Sequence, residues 1–202
     1  MKIYDTKTAP TPRRVRIFLA EKNISMEYVQ VDLQKGENLS AEMREKNPIG
    51  KIPILELDDG SCIGESDAIC TYFEALQPEP PLMGVTPLQK AQIAMWQRQV
   101  DLCLFMQVGM CFQHTTGYFK DRMTPVKDYG VEAGKNAAKY LSVLDRQLQD
   151  NEFVAGDTFS IADITTLCSI DFARVIDVRI AEKHSALQSW YDRIAARESA
   201  KA

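Results

Sequence analysis

Hydrophobic and polar positions alternate in short blocks over the first third of the chain and take up a helical period over the rest. Lys2–Thr6 has the β-branched and aromatic content of a strand. Residues 7–12, rich in Thr and Pro, form a turn. Val15, Phe18 and Leu19 then recur at the spacing of one helix face, in a helix running to about Lys22. Thr11 followed by Pro12 reads as an N-cap with proline at the first helical position, where its missing N–H does no harm. Asn23 reads as the stop. Met26–Leu33 predicts a second strand and Leu39–Lys46 a short helix. Ile52, Ile54, Leu55 and Leu57 predict a third strand. Asp58-Asp59-Gly60 is turn chemistry and Ser61–Ile63 runs back as a fourth strand, so this segment is a β-hairpin. Ser66 then caps a helix carrying Ile69, Phe73 and Leu76.

Gln77-Pro78-Glu79-Pro80-Pro81 cannot continue a helix and marks the best boundary in the chain. Residues 1–77 are read as one α/β domain, 78–85 as a linker and 86–202 as an all-helical domain. Thr86-Pro87-Leu88-Gln89 is a capping box opening a helix to about Gln113. A second helix spans roughly Asp128 to Gln149, with Ala137, Leu141, Leu144 and Leu148 on one face. Ser160-Ile161-Ala162-Asp163 opens a third: Ser160 caps the Asp163 amide, the Asp163 side chain reaches back, and Phe159 staples onto Ile164. A last helix carries Leu187, Trp190, Tyr191 and Ile194. No internal repeat is visible.

Composition narrows the function classes. A net charge of −4 and a pI near 5.3 give no basic face for nucleic acid. No apolar run reaches the length of a membrane span and no signal-peptide pattern opens the chain, so a cytoplasmic location without membrane attachment is expected. The five cysteines, at 62, 70, 103, 111 and 168, contain no Cys-x-x-Cys pair, so neither a disulfide framework nor a metal site is expected.

The candidate chemistry lies between Asn47 and Ser66. Pro53 sits at the start of a strand that should be central, where it cannot donate to a ladder. If the Ile52–Pro53 bond is cis, the N–H and C=O of Ile52 turn outward and can pair with an extended peptide ligand. The amides at the start of the Ser66 helix, with the Ser66 hydroxyl, can hold a carboxylate at the positive end of the helix dipole. The competing reading is an ordinary hairpin-to-helix corner with a trans proline.

The order Asn47-Pro48-Ile49-Gly50-Lys51-Ile52-Pro53, the Asp-Gly hairpin tip and Glu65-Ser66-Asp67-Ala68-Ile69 resemble the glutathione site of the cytosolic glutathione transferases. The resemblance implies a thioredoxin-like N-terminal domain with a four-stranded mixed sheet, an all-α C-terminal domain, and a homodimer. It implies that Ile52, before the cis Pro53, pairs with the cysteinyl unit of glutathione, and that Glu65 and Ser66 bind the γ-glutamyl end. Lys51 and Asn38 would contact the glycyl carboxylate, and Asp101 would reach the γ-glutamyl amine held by the partner subunit. Met95, Cys103, Phe105, Met106, Met110, Phe112 and Tyr118 make a soft apolar surface along the long helix, read mostly as core or dimer interface with a few residues lining a pocket for an apolar electrophile.

One departure bears on mechanism. Where the family carries its activating Ser or Cys this chain has Ala9, and Tyr4 lies too early to match the Tyr classes. The segment Thr8–Lys22 resembles a theta-like fungal and bacterial subgroup with the same gap. In that subgroup the thiol is activated by the first-helix N-terminus and by a water held on a histidine of the helical domain. The implied candidates are the Thr8 and Thr11 hydroxyls, the amides of Arg13 and Arg14, and His114, with Thr115 as a helper. Thr11 is read first as the N-cap, and His184 as a surface residue. The expected function is attack of the glutathione thiol on an apolar electrophile, as in detoxification. The alternatives are a non-catalytic glutathione-binding regulatory protein, and a glutathione-dependent peroxidase or isomerase on the same fold.

Overall fold

The computed structural model describes residues 1–202. It forms two compact units, one of Met1–Leu82 with Glu198–Ala202, the other of Met83–Arg197. In the first, β1 (Lys2–Asp5), α1 (Pro10–Glu21), β2 (Glu27–Gln30), α2 (Ala41–Lys46), β3 (Ile54–Glu56), β4 (Cys62–Gly64) and α3 (Ser66–Leu76) follow in order. The sheet order is β2-β1-β3-β4, with β1 and β2 parallel and the other pairs antiparallel. This is the thioredoxin-like mixed sheet. Ile3 stands opposite Leu55 and Tyr4 opposite Ile54, so the two-residue period of the strands sends one pair to each face. Tyr4, Val31, Met43, Ile52 and Ile54 form one buried cluster, which includes Met43 of α2.

Two helix starts differ from the sequence expectation. α1 begins at Pro10, and its N-cap is Ala9, which gives no side-chain cap; Thr11 is therefore inside the first turn. The first-turn positions lack intrahelical partners for their N–H groups, so Pro10 fits there as well as Pro12 does, and the helix begins at the earlier one. α3 begins at Ser66, not after it. Its N-cap is Glu65, held at φ 67°, a left-handed conformation uncommon outside glycine.

Lys22, at the end of α1, is buried. Its ammonium donates to the Gln77 carbonyl at 2.7 Å and the Pro80 carbonyl at 2.8 Å and pairs with Glu74 at 2.7 Å. It fastens α1 to the end of α3 and to the proline-rich segment. The C-terminal turn Glu198–Lys201 returns to α1, where the Arg13 guanidinium donates to the Ala200 carbonyl at 2.9 Å.

The second unit is helical: α4 (Pro87–Val100), α5 (Met106–Thr115), α6 (Lys127–Gln149), α7 (Ile161–Ala173) and α8 (Ser185–Ala195). The capping box of Thr86 and Gln89 opens α4. A π-helical turn, Asp101–Phe105, joins α4 to α5 where the sequence predicts one unbroken helix. α7 is buried all round over residues 161–170, the polar Asp163, Thr165, Thr166 and Ser169 included. At its start the fully buried Asp163 carboxylate accepts from Val154 N and Trp190 Nε1, both at 2.9 Å, and from Ser160 N at 3.0 Å. His184 is buried, not on the surface. It is the N-cap residue of α8, and its Nε2 pairs with Ser142 Oγ of α6 at 2.9 Å. No helix is long and apolar enough to cross a membrane.

Candidate functional site

Two hydroxyls pin three segments of the first unit together. The Ile52–Pro53 peptide is cis, just ahead of β3. Thr11 Oγ1, in the first turn of α1, donates to the Ile52 carbonyl at 3.3 Å. Ser66 Oγ, at the start of α3, donates to the Thr11 carbonyl at 2.9 Å. Ser66 is 3% exposed and Thr11 half-buried. Residues 41 and 55 positions apart in sequence thus meet, each pair through one hydroxyl.

The two helix starts present different numbers of amides outside the helical ladder. In α3 the Ile69 N–H is already bonded, to the Glu65 carbonyl at 3.0 Å, which leaves the amides of Ser66, Asp67 and Ala68 outside the helical ladder. In α1, Pro10 and Pro12 have no N–H, and the Arg13 N–H bonds the Ala9 carbonyl at 3.4 Å. Arg14, the fifth residue of α1, falls where the helical pattern sends its N–H back to Pro10. The expectation that the Arg13 and Arg14 amides are free is therefore corrected. Thr11 has the one first-turn amide outside the helical ladder in α1, fewer than α3 presents.

The loop before Ile52 is held from beneath by polar side chains, among them Asn47, which sequence reasoning gave no role. Asn47 is buried, and its Nδ2 donates to the Lys51 carbonyl at 2.8 Å. The same amide lies against Gly64, where an added Cβ would stand 3.1 Å from Nδ2. Asn38 Nδ2 donates to the Gly50 carbonyl at 2.6 Å, so Asn38 is a clamp on this loop. Gly50 itself needs φ 62°. Lys46, at the end of α2, pairs with Glu56 at 2.8 Å, and Tyr4 Oη donates to the same Glu56 oxygen at 2.8 Å. Lys46, then Tyr4, hold the Glu56 carboxyl down to about 2, and Glu56 holds the Lys46 ammonium well above its usual range. Lys51 and Glu65 reach solvent, and Thr8 is exposed on the turn before α1.

Asp101 and His114 belong to the helical unit. Asp101 opens the π-helical turn and is half-buried. His114, in the last turn of α5, accepts at Nδ1 from Val126 N–H at 2.9 Å, and its ring meets Tyr129 edge-on at 5.1 Å. An accepting Nδ1 carries no proton, so neutral His114 has its proton on Nε2, which is left as a donor. Gly130 of α6 keeps this packing possible, since a Cβ there would come within 2.8 Å of His114 Cβ and of Thr115 Cγ2. The Thr115 hydroxyl donates to the Cys111 carbonyl at 2.7 Å. Of the soft surface expected along the long helix, Met95, Cys103, Met106 and Tyr118 are exposed, while Phe105, Met110 and Phe112 are half-buried. Phe112 is the centre of an aromatic group, 5.2 Å from Tyr118, 5.4 Å from Phe172 and 6.1 Å from Phe119.

Residues 3–81 match the family model of the glutathione S-transferase N-terminal domain, and residues 105–198 that of the C-terminal domain. The chain is 40% identical to glutathione S-transferase 2 of Saccharomyces cerevisiae, covering all of this chain and 88% of that protein. It is similar in structure to Gtt2 from S. cerevisiae, with a TM-score of 0.95 at 40% identity over 100% of this chain and 99% of the other. A glutathione S-transferase of class Gtt2 from Vibrio parahaemolyticus superposes with a TM-score of 0.86 at 35% identity, covering 98% of this chain and 95% of the other.

Proposed function

The chain belongs to the glutathione S-transferase family, and from that premise we propose that it activates the thiol of glutathione for attack on an apolar electrophile. The observation that carries the reading is the convergence of the Ile52 backbone, before a cis proline, and the α3 start on Thr11. Glutathione lies extended along Ile52 and pairs with it as one strand pairs with another. Its γ-glutamyl carboxylate takes the first-turn amides of α3, with the Ser66 hydroxyl and the neighbouring Glu65 at the same end. Its glycyl carboxylate takes the solvent-reaching Lys51 ammonium as a point charge. Asn38 holds the Gly50 carbonyl with one amide proton and contacts the same carboxylate with the other.

Once ionised, the sulfur forms a bond to the electrophilic carbon while the leaving group departs with its electron pair, the thiol proton having passed to solvent. The anion is required because a free thiol with a pKa near 8.5 is only a few per cent thiolate at pH 7. The half-buried aromatics around Phe112 supply apolar surface for the electrophile. Water held on the His114 Nε2–H is a route to the anion in this reading. We further take the enzyme to work in detoxification as a cytoplasmic homodimer, in which Asp101 reaches the γ-glutamyl amine across the subunits.

The test is the ultraviolet thiolate absorbance of bound glutathione followed against pH. A bound thiol that ionises clearly below free glutathione supports the reading. Tight binding with an unshifted thiol would make the chain a glutathione-binding module and end the catalytic proposal.

A further inference from the structure

We infer that the turn Glu198–Lys201 is a strap on α1, and that Arg13, a side chain it holds, is a positioning residue for the glutathione site. The inference rests on the binding mode proposed above, in which glutathione pairs with Ile52 and reaches the start of α3. The turn belongs to the first unit, and its Ser199 and Ala200 are buried. The Arg13 guanidinium donates to the Ala200 carbonyl at 2.9 Å, across 187 positions of sequence. The Ser199 hydroxyl donates to the Glu21 carboxylate. Two successive residues of the turn thus take one side chain from the first turn of α1 and one from its last residue.

α1 needs such a hold at its start. Its N-cap, Ala9, gives no side-chain cap, and its first turn contains two prolines without N–H groups. The first ladder bond, from the Arg13 N–H to the Ala9 carbonyl, is long at 3.4 Å. A helix start without a cap frays, because little that is local opposes the conformational entropy of its first residues. This first turn is also part of the site. Thr11 holds the Ile52 carbonyl through its hydroxyl and accepts from Ser66 at its own carbonyl. Fraying from Pro10 to Arg13 releases both, and Ile52 and the α3 start lose the residue on which they converge. The Arg13–Ala200 bond opposes that opening. It is half-buried and charge-assisted, hence stronger than a neutral bond at the surface.

The neighbouring cations fix other parts of the helix. Arg16 holds the Asp5 carboxylate at 2.6 Å and the Lys7 carbonyl at 3.2 Å, which secures the turn before α1. Lys22 secures its end. Arg13 acts on the first turn itself. A ligand that binds only the closed first turn has its dissociation constant divided by the fraction closed. Loosening the strap lowers that fraction, and saturating glutathione restores it. The signature is a higher KM for glutathione with kcat nearly kept.

The experiment measures glutathione affinity by calorimetry, steady-state kinetics with an activated aryl halide, and amide exchange along α1. The proteins are wild type, Arg13→Ala, Arg13→Lys and a chain ending at Arg197. Arg13→Ala should raise Kd and KM for glutathione about two- to fivefold, with kcat near wild type and faster exchange at the Arg13 and Arg14 amides. Arg13→Lys keeps a charged donor and should recover most of the affinity. The chain ending at Arg197 should show at least the Arg13→Ala penalty, and Arg13→Ala should add little to it. Wild-type affinity in Arg13→Ala, whatever its thermal stability, overturns the inference and leaves the transferase reading intact, as does full additivity with the shortened chain. A wild-type protein that does not bind glutathione overturns both. Should the shortened chain not fold, Arg13→Ala against Arg13→Lys carries the same expectation.

Discussion

Replacing Ser66 with Ala separates the two jobs of one hydroxyl. Its single proton is donated to the Thr11 carbonyl at 2.9 Å, and the residue is nearly closed to solvent. To donate to a ligand carboxylate, that proton must leave Thr11. A charge-assisted bond is worth about 1.5–3 kcal/mol and the neutral bond given up about 1 kcal/mol. The net contribution to binding is therefore about 1 kcal/mol, or roughly fivefold in the dissociation constant. The amides of Ser66, Asp67 and Ala68 stay in place, so affinity should fall and not vanish. Stability should fall by about 0.5–1 kcal/mol, because the Thr11 carbonyl keeps the helical amide four residues on. Calorimetry with glutathione, and with an analogue whose γ-glutamyl carboxylate is amidated, closes the cycle. The Ser66→Ala penalty should disappear for the amidated analogue. Equal penalties for both ligands would refute a carboxylate at this helix start, and an unchanged affinity with reduced stability would show that the hydroxyl serves only Thr11.

Two further outcomes follow from the geometry. His114→Ala removes the acceptor of the Val126 N–H and the Tyr129 contact, so denaturant unfolding should show a loss of about 1 kcal/mol; steady-state kinetics should show kcat reduced more than KM, and an unchanged kcat would remove the histidine-held water from the mechanism. Glu56, held down to about 2 in the folded chain against about 4.3 when unfolded, contributes stability that is present above pH ~4.3 and is lost as pH falls toward 2. Glu56→Gln should flatten unfolding curves across that acid window and loosen α2, which Lys46 ties to the sheet; an unchanged acid slope would discount the cluster.

Sequence alone determined the elements whose signals are local. Strand alternation at Lys2–Asp5, the Asp-Gly hairpin, the Thr86 capping box and the apolar stripe of α6 each depend on neighbours a few residues away, and each stands in the structure. The motif from Asn47 to Ser66 also marked the cis Ile52–Pro53 peptide. What the tertiary structure decided were choices among near-equal local options. Thr11 and Ser66 have good capping side chains, yet in the fold each hydroxyl goes to a carbonyl brought in from 41 or 55 residues away. Pro10 and Pro12 are both compatible with a first turn, so the start of α1 could not be chosen from propensity. His184 has no local mark of burial and is enclosed because α6 brings Ser142 to it. Asn47, Lys22 and Glu56 look like ordinary polar positions until distant backbone or charge arrives beside them. A single polar side chain has several partners of similar energy within reach. Local sequence states what it can bond, and only the packing of distant segments selects which bond it makes.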